Sequence, residues 1–272
     1  MKRKILITGS TDGIGKLAAM RLAKDGHHLF LHGRSEQKLA AVIADIKDRS
    51  PSSAVEGFLA DFSNLSEVKN MSERIHSNID SLDVLINNAG VFNSKNAFNV
   101  DGLDLRFVVN YIAPYLLTNA LVPLLQKGDA ARIINLSSAA QAPVSLTALE
   151  GKQQLSESEA YAQSKLALTM WSIYLSQQLK DVIVIPVNPG SLLNTNMVRE
   201  AYGKFWSEAE KGGNILYDLA VSEDYADSNS QYFDNDKGDP KGDFSKAHRD
   251  AYDLELTMGL IERTESLIAV KL

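Results

Sequence analysis

A chain of 272 residues and 29.8 kDa, 44% hydrophobic and 23% charged, has room for one large α/β domain with a substantial core. Its net charge of −6 and pI near 5.4 offer a polyanion no basic face, which argues against a nucleic-acid partner. With no cysteine, disulfides, thiol chemistry and thiolate metal sites are excluded.

The N-terminal Met1-Lys2-Arg3-Lys4 is basic, but only Ile5-Leu6-Ile7 follows before Thr8-Gly9, too short for the apolar region of a signal peptide. No apolar run approaches the ~20 residues a membrane helix needs. The expectation is therefore a soluble, cytoplasmic protein without a membrane partner. Lys4 to Thr8 instead reads as a first buried strand. Thr8-Gly9-Ser10-Thr11-Asp12-Gly13-Ile14-Gly15 follows, opening a helix with apolar positions at Ile14, Leu17, Ala18 and Leu22 that closes at Gly26. Strand, glycine turn and helix together are the context in which a pyrophosphate site is expected rather than a plain glycine turn. Gly9 permits the tight turn, Gly13 a close backbone approach and Gly15 close helix packing, and the helix N-terminus offers unpaired N–H groups.

A second strand, Leu29 to His32, ends in Gly33-Arg34. An NAD-preferring site usually places a carboxylate there, which would repel a 2′-phosphate; a guanidinium can bind one bidentately. A helix from about Ser35 to Arg49 stops before Pro51, and Val55 to Leu59 reads as a third strand ending at Asp61-Phe62. Helix Ser66 to Asn78 leads to a strand at Asp83 to Ile86 and then Asn87-Asn88-Ala89-Gly90. Asn110 stands on an otherwise apolar helix, where asparagine competes for backbone groups. Strand Arg132 to Leu136 ends in Ser137-Ser138, and adjacent strand residues face opposite sides, so one of the two can reach a substrate.

Tyr161 and Lys165 are four apart in a run predicted as one helix from about Leu155 to Leu179, so they share a face. A free tyrosine, with pKa about 10, is a poor proton carrier at neutral pH; an adjacent ammonium favours its phenolate. Such a pair also arises by accident, and it gains meaning only beside a cofactor site and a second hydroxyl. Val182 to Val187 then reads as a sixth strand before Asn188-Pro189-Gly190, and Thr195 follows. Asn196 to Asn229 is less regular, Gln231-Tyr232-Phe233 reads as a last edge strand, and Ser245 to Val270 as a closing helix.

The glycine spacing, Asp61-Phe62, Asn87-Asn88-Ala89-Gly90, the Ser138/Tyr161/Lys165 set and Pro189-Gly190 together resemble the short-chain dehydrogenase/reductase family, over residues 4 to about 195. The segment from Asn93 through Val100-Asp101-Gly102 to Asn110-Tyr111 is similar at class level to its retinol-dehydrogenase-like branch. The resemblance implies a single-domain Rossmann fold over residues 1–272. Its doubly wound parallel sheet would have about seven strands, ordered 3-2-1-4-5-6 with a seventh at the edge, and a substrate lid at about 191–230. It further implies Asn110, Ser138, Tyr161 and Lys165 as the catalytic set. Tyr161 would carry the proton, Ser138 hold the substrate oxygen, Lys165 acidify the tyrosine and anchor the ribose, and Asn110 hold a relay water.

Cofactor contacts would come from Gly9, Thr11, Asp12, Gly13, Ile14, Gly15, Arg34, Asp61 and Phe62 at one end. Asn88, Ala89, Gly90, Asn110, Tyr161, Lys165, Pro189, Gly190 and Thr195 would supply them at the other. The Gly33-Arg34 pair makes NADP(H) the favoured cofactor and leaves NAD(H) as the alternative. Two departures stand out: Asp12 occupies a place where some NADP-preferring members carry a basic residue, and Thr195 is one residue farther from Pro189 than is usual. Small carbonyl or alcohol substrates and a homodimer or homotetramer through the Asn110 and Tyr161 helices complete the expectation. A non-catalytic NADP(H)-sensing regulator on the same fold stays open beside it; such proteins commonly lose part of the catalytic set, which is whole here.

An epimerase or dehydratase of the longer relatives is opposed by chain length and glycine spacing. No metal site is expected: the five histidines have no ligand spacing, and Asp234 to Asp239 does not match an EF-hand loop. There is also no Gly-x-Ser-x-Gly nucleophile elbow.

Overall fold

Residues alternate between two faces along each strand, and the composition of the first strand already states the architecture: Ile5 and Ile7 enter one apolar layer, Leu6 the other. The computed structural model describes residues 2–50, 54–238 and 241–272. The first half runs β1 (Lys4–Ile7), α1 (Gly13–Lys24), β2 (His28–Gly33), α2 (Glu36–Arg49), β3 (Val55–Leu59), α3 (Leu65–Asn78) and β4 (Val84–Asn87). A short α4 (Leu105–Phe107), a π-helical turn (Val108–Ile112) and α5 (Ala113–Leu125) form one helical run before β5 (Arg132–Leu136) and α6 (Leu146–Leu149). Then come α7 (Glu157–Gln178), β6 (Ile183–Asn188), α8 (Asn196–Tyr202), α9 (Ala209–Val221), β7 (Tyr232–Asp234), β8 (Asp243–Ser245) and α10 (Leu254–Lys271). Pro51 and Asp239, used above as a helix stop and as part of a rejected calcium loop, lie outside the described residues.

One sheet has the order β3-β2-β1-β4-β5-β6-β7-β8, parallel except for the antiparallel β7–β8 pair. Its α3, α5 and α7 side is the larger core, and α1, α2 and α9 cover the other. The expected doubly wound order is present, with eight strands instead of about seven. The extra strand falls partly on Ser245, expected as a helix start. Gly242, at φ +76°, turns the chain back, and Phe244 packs edge-on against Phe233 with centroids 5.1 Å apart. That aromatic contact holds a strand too short to show a period. The closing helix starts only at Leu254, where Asp253 caps it by accepting from Leu256 N–H at 3.1 Å.

The stretch expected to be irregular, Asn196 to Asn229, contains α8 and α9. Adjacent Gly212 and Gly213 look like a helix break. They instead let α9 lie close on α1: a Cβ at Gly212 would come within 2.8 Å of Ile14 Cγ2, and one at Gly213 within 2.7 Å of Leu17 Cβ.

The run Leu105–Leu125 also departs from expectation. It is helical over 21 residues and, by length and composition alone, apolar enough to cross a membrane; 67% of its apolar window is buried within this fold. Helix α10 lies across the outer side of α5 and α7. Thr264 Oγ1 meets the Tyr111 hydroxyl at 2.9 Å, and Tyr115 donates to Glu265 at 3.0 Å. Tyr115 in turn packs on the buried Trp171 of α7, centroids 5.2 Å apart.

Candidate active site

The glycine turn is locked to β4 before any ligand enters the argument. Gly9 adopts φ +62°, and a Cβ there would come within 2.8 Å of Ala89 Cα. The Asn88 amide donates to Thr8 O at 2.8 Å and Gly9 O at 2.9 Å, and Thr8 Oγ1 accepts from the Asn88 and Ala89 N–H groups, each at 3.0 Å. Gly15 is needed for the same clamp, since its Cβ would sit 2.4 Å from Asn88 Nδ2. Asp12 caps α1: one carboxylate oxygen accepts from Gly13 N–H at 2.8 Å and the other from the Asn196 amide at 2.6 Å.

His32 was not anticipated as part of this region. Its Nδ1 accepts from Gly9 N–H at 3.1 Å, so Nε2 carries the proton and donates to Ala60 O at 3.0 Å. The ring stacks on Phe62, centroids 4.1 Å apart. Burial lowers its pKa to about 4, so it stays neutral and the tautomer is fixed. The signal was a histidine in an otherwise apolar strand, Leu29-Phe30-Leu31-His32.

A cleft of about 660 Å³ opens from this turn along the carboxyl ends of the strands. At one end it is lined by Thr11, Gly13, Ile14, Arg34, Lys38, Asp61 and Phe62. A side chain at Gly33 would meet Thr11 Cγ2 at 2.4 Å, so a carboxylate at that strand end would require Thr11 to move. Among the described residues neither the Arg34 guanidinium nor the Lys38 ammonium has a hydrogen-bond or ion-pair partner. Two unpaired cations beside an open cleft suit a phosphate. Asp61 Oδ1 is already engaged, accepting from Ser63 N–H at 2.9 Å.

The other end holds Asn88, Ala89, Gly90, Tyr161, Lys165, Pro189, Gly190 and Thr195. Helix α7 presents Tyr161 and Lys165 after a capping box of Ser156 and Glu159. Lys165 is 5% exposed, and its Nζ donates to Leu136 O at 2.7 Å while lying 5.5 Å from the Tyr161 ring centroid. Burial lowers its pKa to about 8. Tyr161 moves the other way: burial raises the phenol to about 12, opposed by a hydrogen bond from Ser138. Sequence reasoning expects the lysine to acidify this tyrosine. The balance differs because burial disfavours the phenolate more than its neighbours favour it, and Lys165 is turned toward a carbonyl.

Ser137 Oγ is buried against Thr169 Oγ1 at 2.6 Å, whereas Ser138 reaches Tyr161, so the two serines divide as strand alternation predicts. Asn110 and Ser138 do not line the cleft itself, and neither does Gly15. Asn110 sits in the π-helical turn and clamps its surroundings: Oδ1 accepts from Val91 N–H at 2.8 Å, and Nδ2 donates to Val91 O and Ser164 Oγ, both at 3.0 Å. A Cβ on Gly90 would lie 3.3 Å from Asn110 Oδ1 and 3.7 Å from Lys165 Nζ, so these three segments meet. Thr195 caps α8, its hydroxyl oxygen accepting from Val198 N–H at 3.3 Å, and it faces Gly13.

Comparison with known proteins identifies the family and agrees with the fold. The sequence profile described as short chain dehydrogenase matches residues 3–204. Human polyprenol dehydrogenase is 32% identical over 215 residues, covering 75% of this chain and 64% of that protein, so the chain spans less than two thirds of this relative. Human retinol dehydrogenase 13 is 31% identical over 252 residues, covering 85% of this chain and 76% of its own. Among solved structures, a short chain dehydrogenase from Shigella flexneri complexed with NADP is 28% identical at a TM-score of 0.69, covering 86% of this chain and 97% of its own. An Escherichia coli CFT073 short chain dehydrogenase complexed with NADPH is 29% identical at the same TM-score, covering 85% and 95%. The chain belongs to the short chain dehydrogenase family.

Proposed function

We propose that this protein is an NADP(H)-dependent oxidoreductase that interconverts a carbonyl and an alcohol on a small molecule. The observation that carries the reading is the meeting of Tyr161 and Lys165 at one end of a cleft, with Ser138 reaching Tyr161 from behind its lining, while the other end holds Arg34 and Lys38, unpaired among the described residues. The bound nicotinamide supplies the hydride. Everything else falls to the chain's own residues.

In the reducing direction Tyr161, protonated across the neutral range because its pKa lies near 12, donates its proton to the developing alkoxide. Ser138 holds the same oxygen, a fixed donor aimed where charge develops. The Lys165 ammonium anchors the ribose hydroxyls. Asn110, through its hold on Val91 and Ser164, keeps the loop after β4 beside α7, with a water relay toward Lys165. Arg34 takes the 2′-phosphate, the choice that favours NADP(H) over NAD(H). The glycine turn and α1 take the pyrophosphate, and Asp61 and Phe62 border the adenine. The Thr195 oxygen can keep its cap on α8 while its proton goes to the carboxamide.

This reading treats residues 1–272 as one catalytic domain with residues 191–230 as its substrate lid. The exposed Tyr202, Phe205 and Trp206 supply an apolar wall there. It places the enzyme in the cytoplasm, which fractionation of cells against a membrane pool would test. Assembly through α5 and α7 requires α10, which already lies on them, to join the interface or move aside; light scattering of the purified chain decides this.

The function is tested by following NADPH and NADH consumption over a panel of aldehydes, ketones and quinones. NADPH-dependent turnover that falls at least ~10³-fold in Tyr161→Phe, with NADPH binding retained, supports it. Near-normal turnover in that variant sinks the assignment. Tight NADPH binding without turnover on any substrate favours the regulator.

A further inference from the structure

The most deeply buried cation near the cleft is one the proposed mechanism does not use. Arg106, in α4 and one turn ahead of Asn110, is 1% exposed. Its guanidinium joins three segments. Nε donates to Phe92 O at 2.9 Å, Nη1 reaches Asp104 Oδ2 at 3.3 Å, and Nη2 donates to Glu157. Asp104 is the N-cap of α4, accepting from Arg106 N–H at 2.8 Å. Glu157 opens α7 four residues before Tyr161. Phe92 lies two residues beyond Gly90, its ring packed against Tyr161 with centroids 4.8 Å apart and against Tyr202 of α8 at 5.5 Å.

We propose that Arg106 is a positioning residue. It fixes the Phe92 main chain against the first turn of α7, and so sets Tyr161 against the aromatic wall on which the substrate carbonyl is presented. The inference rests on the proton-donor role given to Tyr161 above. The physical case begins with the loop between β4 and α4, which has little regular structure to place it. A buried carbonyl such as that of Phe92 needs a donor. Arginine supplies several donors in a rigid planar fork that stays charged. Two carboxylates flank the fork, as a buried cation requires. A lysine is a point charge on a flexible stem and cannot hold Phe92 O and Glu157 together in one fixed geometry. Displacement of a reacting group by about 1 Å costs on the order of 10²-fold in rate, so a residue that touches no substrate can still govern turnover.

The experiment compares the full-length parent with Arg106→Lys, Arg106→Gln, Glu157→Gln and Tyr161→Phe, active sites being counted by NADPH binding. Tyrosine labelled with carbon-13 at Cζ reports Tyr161 directly, the resonance being assigned by its loss in Tyr161→Phe. Positioning is thus read whether or not a substrate has been found. Expected are NADPH affinity within about twofold of the parent in every Arg106 and Glu157 variant and a shifted Tyr161 resonance. Turnover per site should fall roughly 10–100-fold in Arg106→Lys and only a few-fold in Glu157→Gln, which keeps an acceptor oxygen. Glu157 is half-exposed, so its variant keeps the test open if Arg106→Gln does not fold. An unmoved Tyr161 resonance and unchanged turnover per site in Arg106→Lys and Glu157→Gln, with only melting temperature lowered, would overturn the proposal. An inactive parent with a shifted resonance would count against the oxidoreductase reading and for the positioning.

Discussion

The two ends of the cleft are held by different kinds of contact. At the glycine-turn end short polar side chains bond to backbone: the Asn88 amide donates to Thr8 O and Gly9 O, His32 accepts from Gly9 N–H and donates to Ala60 O, and Asp12 accepts from Gly13 N–H. At the tyrosine end rings pack on rings, Tyr161 on Phe92 and Phe92 on Tyr202, and the outermost ring belongs to a segment whose Trp206 is 71% exposed. A lattice of short bonds tolerates no substitution without breaking a partner. Aromatic packing can be rebuilt with other side chains. One end is thus suited to a constant ligand and the other to a variable one.

Substitutions should separate the ends cleanly. After Tyr161→Phe, the largest effect is expected from Ser138→Ala, which removes the donor to the substrate oxygen. Turnover should fall about 10²–10³-fold, with NADPH affinity within twofold of the parent by fluorescence titration. Next comes Arg34→Ala. Charge-assisted hydrogen bonds contribute about 1.5–3 kcal/mol, so NADPH affinity should fall roughly 10–100-fold while NADH affinity and turnover per bound cofactor hold. Equal losses for both cofactors would mean that Arg34 serves the fold and not the 2′-phosphate.

The third effect is a pH limb. Burial holds the Lys165 ammonium at about 8, below its ordinary value, so the charge is present below pH 8 and lost above it. Cofactor capture through the ribose hydroxyls should weaken accordingly. kcat/KM for NADPH is expected to be flat toward pH 7 and to fall about tenfold per unit well above pH 8. In Lys165→Met the limb should vanish from a lower starting value. A profile unchanged in that variant would assign the limb elsewhere.

The sequence carried the bonded end farther than the packed one. Gly9, Gly13 and Gly15 could be read because a strand-turn-helix demands small residues at particular spacings, Asn88 to Gly90 came from the family resemblance, and the strand order followed from the alternation of strands and helices. His32 escaped because its place in an apolar strand marks it as unusual without naming its partner, a main chain 23 residues away. Asn196 to Asn229 reads as irregular although it holds α8 and α9, whose Gly212 and Gly213 admit α1 only in the folded chain. The direction of the Tyr161 shift escaped for a related reason. Helical spacing puts a lysine near the phenol, but only the fold determines that the ammonium points to Leu136 O and how deeply the ring is buried. Short β8 depended on tertiary aromatic contacts with Phe233, beyond the reach of any period.

The smallest effect tests the packed end at its rim. Tyr202 packs on Phe92, with ring centroids 5.5 Å apart, and is 49% exposed. An aromatic pair contributes about 0.5–1.5 kcal/mol beyond the area it buries, a factor of roughly 2–10 in an equilibrium. Tyr202→Leu keeps an apolar side chain and removes the ring. KM for an aromatic or long-chain carbonyl should therefore rise 2–10-fold, with kcat and NADPH affinity unchanged, because Arg106 still holds the Phe92 main chain from below. A fall in kcat as large as the rise in KM would place Tyr202 in the path that orients Tyr161. A loss of NADPH affinity would instead join the two ends into one cooperative unit, and the division drawn here between a constant and a variable end would fail.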